Sequence, residues 1–219
     1  MSSMFGSETV CIPEGYGRIR FGRTEMLHIL IAVLVLTFAF TIFIYLGMDH
    51  HITDVDVFAL TLSFGMSFVI VVTGFLLHEL AHKFVAQRYG AWAEFRIFPI
   101  GLFLALAFSF LGFVFAAPGA VYIQGNISKR QNGLISLAGP FTNLAFGGAF
   151  LLGWMLLPAE GDLSSVLSWV GLVNLFFAAF NLLPIPPFDG SKVVKWNIGV
   201  YVTVLAVTIV LLSIGFGVI

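Results

Sequence analysis

The sequence is poor in charge, in cysteine and in polar stretches long enough to fold by themselves in water. Only 10% of its 219 residues are charged, 59% are hydrophobic, and the mean hydropathy is +1.04. A soluble domain carries about 25% charged residues, so a chain this apolar needs the lipid bilayer as its solvent. Cys11 is the single cysteine, which excludes an intramolecular disulfide. The net charge of −1 gives no sign of nucleic-acid binding, and we expect no nucleic-acid partner.

Six apolar runs approach or exceed the roughly 20 residues that a membrane segment requires. They cover residues 27–48, 58–82, 99–117, 134–157, 166–183 and 198–219. Short loops join the runs, and the sequence contains neither an internal repeat nor a low-complexity linker. We therefore predict an all-α membrane protein, a polytopic helical bundle of five to six hydrophobic segments. The bundle forms a single domain over residues 1–219.

The lysines and arginines predict the orientation of these segments, because both residues stay on the cytoplasmic side in short loops. The loops at residues 49–54 and 158–162 contain neither residue, so both are expected outside. The N-terminal segment, residues 1–24, is then cytoplasmic. These placements predict a multi-pass protein of the cell membrane.

The run at residues 99–117 lies between two basic clusters. Arg88 and Arg96 precede it, and Lys129 and Arg130 follow it. A single crossing would put one cluster outside, against the charge rule. We predict that the run enters and returns as a re-entrant or interfacial element, with short strands near the cytoplasmic face. An ordinary span that violates the charge rule is the alternative.

Residues 78–82, His-Glu-Leu-Ala-His, form an H-E-x-x-H pattern. Residues four apart share one face of a helix, so both imidazoles can reach one metal ion, with Glu79 beside the first ligand. Glu79 is then placed to take a proton from the attacking water and to pass it to the leaving amine. The pattern follows about twenty apolar residues, and ionisable groups inside a membrane segment are costly enough to indicate function.

A catalytic zinc takes three protein ligands and keeps one open position, so a third ligand must come from elsewhere. Glu94 lies in a cytoplasmic loop, and the remaining acidic residues lie in the N-terminal segment or in outer loops, with the exception of Asp189. Asp189 ends a segment, residues 181–190, whose three prolines must stop the fifth run. It is expected near the cytoplasmic edge of the membrane, at the depth of His78. A helix N-cap role for Asp189 is the alternative.

H-E-x-x-H in one membrane helix, followed by an Asn-x-x-Pro-x-x-Pro-x-Asp-Gly segment, resembles the site-2 protease family of intramembrane metalloproteases. The resemblance covers residues 73–195, the expected catalytic core. It implies one zinc ion per chain, bound by His78, His82 and Asp189. It also implies that Glu79 is the general base, and that membrane-spanning protein substrates are cut near the cytoplasmic face, as in regulated intramembrane proteolysis.

Residues 138–143 read Ala-Gly-Pro-Phe-Thr-Asn. They are similar to a Gly-Pro-x-x-Asn sequence that the same family has between its two motifs. The resemblance implies that Asn143 lines the site, where its amide donates to the developing oxyanion or holds the substrate backbone. An interhelical hydrogen bond, which is common for asparagines in membrane helices, is the alternative role for Asn143.

Two other functions fit part of the pattern. A membrane protease of the prenyl-protein processing type would be expected to use a downstream glutamate as its third ligand, and the sequence has none at comparable membrane depth. A non-proteolytic metal-binding membrane protein or transporter would explain the two histidines and Asp189, but it gives Glu79 no role. Replacement of Glu79 therefore separates this alternative from a protease.

Overall fold

A computed structural model describes residues 18–48, 55–114, 118–157 and 161–218. The helices in these ranges are α1 (Arg23–Gly47), α2 (Val57–Ile70), α3 (Leu77–Arg88), α4 (Pro99–Ser109), α5 (Lys129–Met155), α6 (Asp162–Asn181), α7 (Gly190–Trp196) and α8 (Ile198–Gly215). A π-helical segment, Val71–Leu76, joins α2 to α3 in one continuous helix. Two strands, β1 (Trp92–Ile97) and β2 (Gly119–Gln124), form an antiparallel sheet.

Five helices in the described ranges are long and apolar enough to cross a membrane. They are α1, the continuous helix Val57–Arg88, α5, α6 and α8. The predicted helical membrane fold is therefore confirmed. The sixth predicted run differs at its end, because α8 stops at Gly215. Most of the N-terminal segment and of the two predicted outer loops lies outside the described residues.

The run at residues 99–117 begins and ends at the same place in the fold. Ile97, two residues before α4, pairs with Gly119 at the start of β2. Helix α4 has 11 residues, and at 1.5 Å per residue it is about 16 Å long. That is too short for a hydrocarbon core of about 30 Å. The described residues on both sides of the run therefore meet at the sheet, and α4 is too short for a single crossing, which agrees with the predicted re-entrant element; residues 115–117 are outside the described ranges.

The segment between α6 and α7 brings Asp189 into the bundle. Helix α6 ends at Asn181, and residues 182–189 form turns before α7 begins at Gly190. Three prolines within this segment cannot continue a helix. A Cβ atom built at Gly190 would overlap the carbonyl oxygen of Leu182, so glycine is required for α7 to begin so close to the end of α6.

Three clusters of apolar side chains pack the described helices and strands around the site, and one of them joins α3 to β1 and α5 through Ala86, Ala93 and Ile135. The largest one joins α1, the helix Val57–Arg88 and the sheet through buried residues that include Leu36, Ile70 and Phe95. A smaller one joins α5 to α6 through Leu144 and Leu175. Membrane helices associate through close packing of this kind, because lipid supplies no hydrophobic drive between them.

Candidate metal centre

The two histidines of the H-E-x-x-H pattern lie one turn apart on α3, and both are buried. Their Nε2 atoms are 3.0 Å apart. The Nδ1 atom of His82 lies 2.7 Å from the carbonyl oxygen of Ile135 in α5. A carbonyl only accepts, so Nδ1 of His82 carries the proton and donates it. Nε2 of His82 therefore presents a lone pair, which is the form that binds a metal.

Asp189 completes a group of three candidate ligand atoms. Its Oδ2 atom lies 3.0 Å from Nε2 of His82 and 3.5 Å from Nε2 of His78. Tetrahedral zinc with bonds of about 2.0–2.1 Å holds its ligand atoms roughly 3.3 Å apart, so the three atoms fit one zinc ion. The ionised carboxylate of Asp189 is the form that coordinates a metal.

Gly139 of α5 provides the space beside these ligand atoms. A Cβ atom built at this glycine would lie 2.5 Å from Nε2 of His78 and closer still to Nε2 of His82. Any side chain there would occupy the volume into which both nitrogens point. The bare backbone of α5 therefore forms one wall of the centre.

Glu79 reaches from α3 to the sheet. Its Oε2 atom accepts a hydrogen bond of 3.0 Å from the backbone N–H of Val121 in β2. Val121 is opposite Phe95 of β1, and an N–H that binds Glu79 faces away from β1. The outer edge of β2 therefore lies beside Glu79.

One cavity of about 600 Å³ connects all of these groups. Its wall includes the three candidate ligands, Glu79, the edge of β2 and side chains from α6 and the segment that follows it. The aromatic members from that part of the wall are Phe176, Phe177, Phe180 and Phe188. The cavity therefore combines a polar end, at the candidate ligands and Glu79, with apolar surface along α6 and the segment that follows it.

Asn143 lies on α5, one turn beyond Gly139, and is completely buried. It does not line the cavity. Neither atom of its amide has a hydrogen-bond partner among the described residues, so the structure does not supply the interhelical bond that was the alternative. Contact with the substrate or with an oxyanion stays a prediction for Asn143.

Comparison with known proteins identifies the family. The sequence model of peptidase family M50 matches residues 157–216, a stretch that contains Asp189 but not the two histidines. A protein of Methanocaldococcus jannaschii that carries the name of a zinc metalloprotease is 42% identical over 184 residues, which are 81% of this chain and 87% of that protein. The chain belongs to peptidase family M50.

Other relatives of this M50 peptidase also carry names of zinc metalloproteases. A Bacillus subtilis protein is 36% identical over 149 residues, which are 58% of this chain and 66% of that relative. A Mycolicibacterium smegmatis protein is 34% identical over 154 residues, which are 59% of this chain and 57% of that relative. No solved structure gives a significant match. The resemblance to site-2 proteases is thus confirmed, and the chain is a multi-pass membrane zinc metalloprotease, a hydrolase with zinc as its cofactor.

Proposed function

We propose that this M50 peptidase hydrolyses peptide bonds of membrane-spanning substrate segments near the cytoplasmic face, as in regulated intramembrane proteolysis. The observation that carries the proposal is the convergence of His78, His82 and Asp189 beside Glu79, in a cavity enclosed by helices long enough to span a membrane. A protease that takes substrates from the bilayer needs its polar groups inside the bundle, because lipid-exposed ionisable groups are costly.

Each of the four residues has a distinct proposed role. His78, His82 and Asp189 would hold the zinc ion, and the bound ion would supply Lewis-acid polarisation of the scissile carbonyl and activation of water. Glu79 takes a proton from the attacking water and passes it to the leaving amine. The N–H of Val121 binds one carboxylate oxygen of Glu79, which fixes the direction in which the carboxylate points.

The outer edge of β2 is the proposed binding site for the substrate backbone. A peptide bond within a helix is shielded, so the substrate segment must unwind locally before it is cut. An extended segment can add to an exposed strand edge through main-chain hydrogen bonds, and this edge borders both the cavity and Glu79. Asn143 is the proposed partner of the substrate backbone or the oxyanion, because its amide is buried with its hydrogen-bonding capacity unused by the described residues.

The cytoplasmic placement of the site rests on the basic residues near it. Lys192 lies in the cavity wall, with Nζ 3.6 Å from Oδ1 of Asp189. Lys195 follows it on α7, and Arg88 ends the helix that carries the histidines. Lysine and arginine in such short connections favour the cytoplasmic side, which also gives water access to the metal-binding end of the cavity.

The proposed function is tested by cleavage of a reporter with a single membrane span, using purified protein in liposomes. Wild type is compared with Glu79→Ala, and the zinc content of both is measured. We expect Glu79→Ala to retain zinc, because the three ligands are unchanged, and to lose at least about 100-fold in cleavage rate through loss of the general base.

Glu94→Ala is the matched control, because Glu94 is paired with Arg96 on β1 and does not line the cavity. It should cut like the wild type. Cleavage by Glu79→Ala at the wild-type rate would overturn the proposed mechanism. Normal zinc content in all variants, without cleavage of any member of a panel of single-span substrates, would favour the metal-binding or transport alternative.

A further inference from the structure

Glu25, in the first turn of α1, and Lys83 of α3 form an ion pair in which both side chains are completely buried. Nζ of Lys83 lies 2.6 Å and 2.7 Å from the two carboxylate oxygens of Glu25. Apolar residues of similar size often serve stability as well as a buried ion pair does, because both charges must be removed from water. Stability therefore does not account for this pair by itself.

Both members of the pair also bind the outer edge of β1. Nζ of Lys83 donates a hydrogen bond of 3.0 Å to the carbonyl oxygen of Ala93. Oε1 of Glu25 accepts a hydrogen bond of 3.0 Å from the backbone N–H of Phe95. The pair thus joins three elements. Glu25 belongs to α1, Lys83 belongs to α3, and both bind β1.

The same cross-strand pair is held from the opposite side by Glu79. Phe95 of β1 lies directly opposite Val121 of β2. The N–H of Phe95 binds Glu25, and the N–H of Val121 binds Glu79. The two glutamates therefore hold the sheet at its two outer edges, and both bind the same cross-strand pair, Phe95 and Val121.

Helix α3 contributes to both attachments from one face. Glu79 and Lys83 are four residues apart, so their side chains project from the same side of the helix. One contacts the edge of β2 and the other contacts the edge of β1. His78 and His82, each one position earlier, project toward Asp189 instead. The position of the sheet on α3 therefore decides where β2 lies relative to the metal-binding group.

We propose that Glu25 and Lys83 are positioning residues for the protease reaction, which hold β2 at the distance from Glu79 that the reaction requires. The proposal rests on the proposed function, in which Glu79 is the general base and the edge of β2 receives the substrate. Neither residue lines the cavity or belongs to the group of candidate metal ligands. Both act through β1, which carries β2 with it.

The test is the double variant Glu25→Leu, Lys83→Met, which removes both charges together and leaves no unpaired charge inside the protein. Zinc content, thermal unfolding and the kcat and KM for a single-span reporter are measured in liposomes. Hydrogen exchange of the β2 backbone is followed by mass spectrometry, because this measurement does not depend on proteolysis. Glu94→Gln, on β1 but outside the attachment, is the control.

We expect the double variant to bind zinc, to exchange the Val121 amide faster than wild type, and to lose about 100-fold in kcat, the order of loss that a displacement of about 1 Å causes. Glu94→Gln should match wild type. Wild-type exchange and wild-type kcat in a folded double variant would overturn the proposal and leave the pair a purely structural role.

Glu25→Asp is the second variant, in case the double variant does not fold. It keeps the charge balance but shortens the side chain by one methylene, so one carboxylate can no longer hold Lys83 and the N–H of Phe95 in their present places. Faster exchange at Val121 and a lower kcat are expected, and wild-type values for both would again overturn the proposal. A wild type that cuts no reporter would count against the proposed function, whereas the exchange result would still decide whether the pair positions β2.

Discussion

The three candidate metal ligands, His78, His82 and Asp189, lie beside a position that has no side chain. Gly139 is the residue at which any Cβ atom would enter the space between Nε2 of His78 and Nε2 of His82. We predict that Gly139→Ala displaces at least one imidazole and lowers the zinc-to-protein ratio at a fixed concentration of free zinc. Metal analysis of the purified protein checks this, and cleavage activity should fall in parallel.

Gly148→Ala provides the control for this substitution. Gly148 lies on the same helix, and a Cβ built there meets only Leu211, at an ordinary distance of 3.5 Å. Its zinc content should equal that of the wild type. Equal zinc content in Gly139→Ala would show that α5 can move away from α3 without loss of the centre.

Individual site residues differ in how far the sequence predicts them. His78 and His82 are adjacent on a helix face by spacing alone, and Asp189 follows from the shortage of other acidic residues at the same depth. The sequence could not predict the bond from His82 to the carbonyl of Ile135, because a backbone acceptor has no signature in residue type. Nor could it pair Lys83 with Glu25, which lies 58 positions away.

The helix that carries the histidines changes its winding just before them. The π-helical segment Val71–Leu76 precedes α3, and its Thr73 accepts a hydrogen bond of 2.9 Å from the amide of the buried Asn174 in α6. Short π-helical segments within α-helices occur frequently at functional sites. Here the wider turn lies next to α6, where a Cβ at Gly74 would collide with Phe177.

The outer edge of β2 gives a prediction about the strand as a unit. Val121→Pro removes the N–H that binds Glu79, and that N–H faces away from β1, so the sheet itself can tolerate proline at this edge. We predict that Val121→Pro keeps its zinc and loses most of its cleavage activity. Reporter cleavage and metal content, measured on the same preparation, check this.

Ile123→Pro separates the two roles of this edge. Its N–H has the same outward direction, because strand residues alternate, but no hydrogen bond joins it to Glu79. Loss of activity in both proline variants would indicate that the substrate pairs along the edge. Loss in Val121→Pro alone would limit the role of β2 to orienting Glu79, and full activity in both would contradict the proposed binding site.

The secondary-structure elements agree best with the sequence-based predictions where those predictions used both hydropathy and the positions of basic residues. The five long helices and the returning run at residues 99–117 were predictable because each depends on local composition or on the basic residues beside it. The sheet was predictable only as short strands near that run. Its register was not, because β1 is held by Glu25 and Lys83, contacts between residues distant in the chain.

The proposed reaction needs water although its site lies inside an apolar bundle, so the orientation of the bundle decides from which side water arrives. Asp162 is the first residue of α6. Lys195 lies in the last turn of α7, which follows the C-terminal end of α6. Both are exposed. The basic residues predict that Asp162 is outside and that Lys195 is cytoplasmic, on the side of Asp189.

This orientation is tested with single cysteines in a Cys11→Ser background, labelled by a maleimide that does not cross membranes. Asp162→Cys should react in intact cells, whereas Lys195→Cys should react only after the cells are opened. Cys11→Ser without a new cysteine gives the background. The reverse pattern would place the metal-binding end of the cavity on the outer face. Because the histidines and Asp189 converge at one depth, such an inversion would move the whole proposed reaction to the outer face without altering any contact within the site.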